Sequence, residues 1–205
     1  MEALKSENTK HLAALGIEVP DHLPLIEDIE HVRPRSAKDV ASRLSAITYI
    51  IGLGFGADSE ELLDHLARYN LLSYVSNYEK RLLNSETIQE QDKINITWLS
   101  EGAQSLAWCI GLVDLDHFRQ CDENLAESIP FQVDPSDFIS NSTLRPIGEI
   151  QRQVDLLYRM HWYVRNCRLI GINSQLNESI ISERRKAMDW VYGVEEDWDE
   201  IPMDT

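Results

Sequence analysis

Apolar residues return at intervals of three and four over most of this chain, the spacing of helices that each turn one face inward. The longest such stretch runs from Pro146 to Gly171. Wound at about 100° per residue, one face carries Ile147, Ile150, Val154, Leu157 and Val164, and the opposite side carries Leu156, Met160, Tyr163, Cys167 and Ile170. A helix that is apolar nearly all round belongs inside a protein, so residues 147–170 are predicted to form a buried central helix. It is too rich in arginine to cross a bilayer. His161, Arg165 and Arg168 share its first face, and Asp155, Arg159 and Trp162 form another file. Buried polar groups need partners, so the remaining helices must supply them.

Those helices follow from the same spacing. Residues 2–15 repeat Leu4, His11, Leu12 and Leu15 and stop at Gly16. An irregular segment, 17–35, is punctuated by Pro20, Pro24 and Pro34. Ser36 with Asp39 three residues on is a capping signature and opens a helix with Val40, Leu44, Ile47 and Ile51 inward. It ends in GLGFG, which lacks the Lys-Ser/Thr of a phosphate loop. Asp58 with Glu61 opens a helix to about Tyr69, and residues 71–83 are helical with a break near Ser76. Ser85 is predicted to cap a helix over Glu86–Leu112, whose second half is a further buried candidate. Residues 113–145 are irregular, with short helical turns and an extended piece at 129–133. The last helix spans about 175–192 and stops at Gly193. The acidic tail 195–205 also carries Trp198, Ile201 and Met203. It is therefore expected to dock on the body, with Trp198 in a groove and Asp199 or Asp204 facing Arg184 or Arg185. The sum is an all-α, single-domain bundle over residues 1–205, with about seven to nine helices.

Three segments carry a recognisable pattern. They are W-x-x-E-G at 98–102 leading into LAWCIGL, DLLYRMHW at 155–162, and ERRKAMDW at 183–190 followed by DWD at 197–199. With RPRSAKDVASR at 33–43, the chain resembles the domain-of-unknown-function family 4272. The resemblance implies a single α-helical domain of mostly bacterial distribution and carries no activity to transfer. The stretch 113–145 has no counterpart in the pattern.

Charge changes the functional picture more than composition does. The chain has 205 residues, 19 Lys plus Arg and 35 Asp plus Glu, for a net charge of −16. Such a field repels nucleic acid and anionic membranes. It favours a basic protein partner, although acidity also serves plain solubility. Three cysteines, Cys109, Cys121 and Cys167, read as reduced thiols of a cytoplasmic protein. His117 and Cys121 stand four apart without a second pair, so no metal site is expected, and no cofactor motif is present. The N-terminal ten residues have no signal-peptide core.

The chemistry concentrates in Arg43, Glu79, Glu101, Asp155, Arg159, His161, Arg165, Glu183 and Arg184, each on or beside an inward face. One reading is a set of ion pairs that fix helix register, Asp155 and Arg159 among them. The other is a cleft in which Glu101 and His161 act as base and acid while Arg165 or Arg159 holds an anion. No nucleophile motif accompanies it. The leading expectation is a non-enzymatic, cytoplasmic protein-binding module of the immunity or antitoxin type, acting on a basic partner. The alternative is a small hydrolase or transferase built on the Glu/His/Arg cluster. The oligomeric state is not legible in the sequence.

Overall fold

The computed structural model describes residues 1–205 and contains eight α-helices and three short 3-10 turns, with no strand. The helices are α1 (Glu2–Ala14), α2 (Ala37–Gly54), α3 (Ser59–Arg68), α4 (Asn77–Leu83), α5 (Glu90–Cys109), α6 (Ser136–Asn141), α7 (Ile147–Ile170) and α8 (Glu178–Tyr192). Local signals start most of them. Ser36 accepts from the Asp39 backbone N–H at 3.2 Å while Asp39 Oδ2 accepts from the Ser36 N–H at 3.2 Å, a reciprocal cap. Ser76 and Glu79 repeat the device at α4, and Asp58 caps α3. Gly171 and Gly193 end α7 and α8 in the left-handed region, at φ 73° and 87°.

The large helices pack in a row. α2 lies on α5, α5 on α8, α8 on α7, and α7 on α1. The 24-residue helix α7 is the buried element expected at 147–170, but the middle of the row belongs to α8. A Cβ on Gly54 would stand 2.9 Å from Ile96 Cγ2, so that glycine sets how closely α2 meets α5. One continuous apolar core of 41 buried residues runs from Leu12 to Ile201, which makes the chain one domain. No helix is long and apolar enough to cross a membrane.

Several boundaries differ from the sequence reading. α5 starts at Glu90, not 86, because Ser85 is still in the turn closing α4, its N–H bonded to Leu82 O. It stops at Cys109, not Leu112, where Gly111 at φ 79° reverses the chain and leaves Leu112 exposed. Asn177, not Ser174, caps α8. In α1 the buried positions are Asn8 and Leu12, while Leu15 and His11 face out. The last turn of α7 projects beyond its neighbours, so Ile170, assigned above to an inward side, is exposed. The piece at 129–133 joins no strand, its Gln132 N–H donating to the Tyr49 hydroxyl at 3.0 Å. Gln132 at φ 57° bends it instead, and a 3-10 turn at Leu125–Ser128 precedes it.

Candidate functional site

Four arginines are buried: Arg43, Arg159, Arg184 and Arg185. Each is held by a carboxylate in a separate network. Arg43 of α2 meets Glu79 of α4 through two bonds of 2.7 Å, donates to Tyr74 O, and lies over the Trp198 ring at 4.1 Å. Arg159 grips Asp155 one turn earlier on α7 at 2.9 and 2.6 Å. Asn8 of α1 completes that carboxylate at 2.8 Å. Arg184 of α8 donates twice to Glu101 Oε2 of α5, at 3.0 and 2.8 Å, and gives its other N–H groups to Asp116 O and Arg119 O. Glu101 Oε1 accepts the Cys121 N–H at 2.9 Å. Arg185 pairs with Asp189 at 3.2 Å, donates to Asp204 O, and stands 2.6 Å from His161 Nδ1.

This last contact fixes the state of His161. An arginine only donates, so Nδ1 accepts and the ring proton sits on Nε2. Burial, with the charges of Arg185, Arg165 and Arg168, holds the imidazole down to about 3, so it is neutral near pH 7. Its free lone pair is occupied. Asp189 is pushed by burial up to about 7, even with Arg185 beside it.

The expected acid–base set is therefore divided among separate bonding networks. Glu101 uses both oxygens in the Arg184 network, His161 belongs to the Arg185 network, and Arg165 donates to Met203 O at 3.0 Å. No hydrogen bond or ion pair joins Glu101 to His161 or Arg165. Glu183 is left without a partner: no hydrogen bond reaches its buried Oε2, and burial raises its carboxyl. In the tail, Trp198 is buried between Arg43 and Trp190, with Lys186 over its ring as well. Asp199 accepts from the Tyr78 backbone N–H rather than from an arginine, and Asp204 offers Arg185 its carbonyl rather than its carboxylate.

Sequence reasoning left out of the network Asn8, Gln104, His117, Arg185 and Asp189. Arg185 and Asp189 are four apart on α8, so helical spacing alone pairs them. Gln104 clamps the loop after α5, donating to Asp114 O and accepting from the Asp122 N–H. His117 is held by Gln153 at 2.9 Å and lowered by burial to about 4. Neither Asn8, Gln104 nor His117 carries a local signal.

Several clefts open on this frame, and three of them border the networks just described. One of about 420 Å³ is lined by Arg35, Asp39, Arg43, Lys80, Trp190 and Glu196, among others, with its charges balanced. One of about 430 Å³ lies beside the tail at Tyr158, Trp162, Arg185 and Asp204. One of about 320 Å³ lies between α5 and α8 at Trp98 and Glu183. No group of three or more His, Cys, Asp or Glu side chains is placed to hold a metal ion.

Among known proteins, a family model described as "Domain of unknown function (DUF4272)" matches residues 4–201. No curated protein and no solved structure matches the chain.

Proposed function

We propose, from the premise that the chain belongs to the DUF4272 family, that it is a non-enzymatic protein-binding module for a basic partner. Its three unpaired thiols fit a reducing compartment such as the cytoplasm. The observation that carries the reading is where the surplus acid lies. The four buried arginines are each matched by one buried carboxylate, so the net −16 is carried outside those pairs. Two acidic stretches, residues 27–30 and the tail from Glu195, are both tied to the end of α8. Arg35 donates to Glu195 O and Glu196 O, at 3.0 and 2.9 Å, and its own N–H bonds Val191 O. The Tyr192 hydroxyl donates to Glu27 O at 2.9 Å. Glu27, Glu30 and Glu196 are all exposed there. Arg33 and Arg35 lie between the two stretches, and the exposed acid around them speeds encounter with a basic surface and makes the rate depend on salt. An immunity or antitoxin role suits such exposed acid.

The alternative, a hydrolase or transferase, needs Glu101 and His161 at one point, whereas they serve separate ion-pair networks. The test is charge reversal of Glu27, Glu30 and Glu196 to Lys, followed by capture from native lysate at rising ionic strength. A basic protein retained by the wild type, released by salt and lost in the triple variant at an unchanged melting temperature is the expected result. Capture indifferent to both salt and reversal, or turnover of a small substrate abolished by His161→Ala, overturns the reading.

A further inference from the structure

The chain shows in its own interior how it holds an arginine. Three of its five tryptophans carry one over the ring: Arg145 on Trp108 at 4.7 Å, Arg35 on Trp190 at 4.9 Å and Arg43 on Trp198 at 4.1 Å. Arg43 is the most complete case. Its planar guanidinium lies on the indole while two of its nitrogens meet the Glu79 carboxylate. An indole face with a carboxylate beside it suits arginine better than lysine, because the fork of donors and the flat π surface are used together.

The cavity between α5 and α8 holds the same two receptor groups and no arginine. Its wall is Asn95, Trp98, Glu178, Ser179, Ser182 and Glu183. Trp98 is half-buried and has no cation over it. Glu183 makes no ion pair, and its buried Oε2 has no hydrogen-bond partner. The residue as a whole is half-buried, but leaving that oxygen out of water and unpaired is costly, and burial raises its carboxyl. Lys186 and Arg43 lower it in part, but neither bonds it: Lys186 stands 5.8 Å from the Trp198 ring and Arg43 is paired with Glu79. The paired carboxylates of Glu79 and Glu101 push its carboxyl up a little further. At the rim, Glu178 is 3.0 Å from the exposed Arg168, and the asparagine and the two serines offer further acceptors.

We infer that the Trp98–Glu183 cavity is a receptor for an arginine side chain of the basic partner, stacked on Trp98 and paired with Glu183. This rests on the binding reading above and names the side chain it recognises. The exposed acid at the end of α8 steers the partner, and the cavity selects it.

The probe is the blocked tripeptide acetyl-Gly-Arg-Gly-amide, with its lysine and citrulline analogues, titrated into the full chain. The readout is the ¹H–¹⁵N spectrum, with the Trp98 indole signal assigned through Trp98→Phe. Saturable shifts confined to Trp98 and residues 178–183 are expected, with affinity about tenfold lower for the citrulline peptide and for Glu183→Gln. Asn95→Arg guards against a misfolded Glu183 variant. It supplies the arginine from within, so it should raise the melting temperature and block the peptide. Equal affinity for all three peptides, shifts spread over the acidic surface, or undiminished binding to Glu183→Gln overturns the cavity. The Glu27/Glu30/Glu196 reversal separates the two readings. It should leave tripeptide affinity unchanged, and if the cavity fails while the reversal still abolishes partner capture, only the cavity is lost.

Discussion

Glu101→Gln strikes the buried pair that holds the most structure. Glu101 and Arg184 are each 1% exposed. Together they join α5 and α8 and pin the loop beyond α5 through Asp116 O, Arg119 O and the Cys121 N–H. The glutamine keeps an oxygen for Cys121 but removes the only charge opposing Arg184. Stranding one member of a buried ion pair costs about 3–5 kcal/mol. In a chain of this length each kcal/mol moves the midpoint by about 2–4 °C, so Tm should fall by about 6–20 °C. Thermal unfolding followed by far-UV circular dichroism gives the shift, and urea titration gives the free energy. Adding Arg184→Met should recover part of the loss, because the orphaned charge leaves with it. The recovery stays partial because the carbonyls of Asp116 and Arg119 lose their donor. A single variant within about 1 kcal/mol of wild type, the range of an exposed pair, would refute the argument.

Two further outcomes follow from the tail and from His161. Deleting residues 195–205 removes Trp198 and Ile201 from the core, worth about 1.5–3 kcal/mol each, and an unchanged thermal midpoint would show that the tail contributes nothing. His161 is depressed when folded, to about 3 from its ordinary 6.5, so the unfolded chain binds the extra proton between those values and stability falls as pH drops through that window. His117, held at about 4, adds to the same loss. Asp189, raised to about 7, opposes it, since the folded carboxyl keeps a proton the unfolded one has shed and stability falls as pH rises from 3.8 to 7. His161→Asn keeps an acceptor for Arg185 without a titrating ring, so it should flatten the loss on acidification between pH 6.5 and 3; an unaltered slope of stability against pH would contradict the assigned neutral state.

What the sequence discloses depends on whether the partner is near in the chain. Asp155 with Arg159 and Ser36 with Asp39 are four and three residues apart, and helical spacing alone brings each pair together. The partnership of Glu101 with Arg184 spans 83 positions; the inward faces of α5 and α8 made both residues candidates, but which acid takes which arginine is decided by how those helices pack. Asn8 was invisible because α1 has almost no apolar stripe, and its burial comes from the Asp155 carboxylate of α7. The same limit explains the catalytic set. Glu101, His161 and Arg165 lie on faces that read as inward, yet facing inward does not mean facing one another, and α8 interposes Arg184 and Arg185 to claim the first two. The cavity at Trp98 was the least legible feature, because it consists of a missing partner.

Arg43, Arg165, Arg184 and Arg185 share one habit: they hold irregular segments by main-chain oxygens, those of Tyr74, Met203, Asp116, Arg119, Pro202 and Asp204. A carbonyl is the same whichever side chain stands above it. The frame is thus indifferent to most of the letters it anchors. Replacing Asp116, Arg119 or Asp204 leaves every one of these anchors in place, so the loop after α5 and the end of the tail are free to drift in sequence while staying fixed in position. A scaffold wired in this way can change what it shows to a partner without changing its fold.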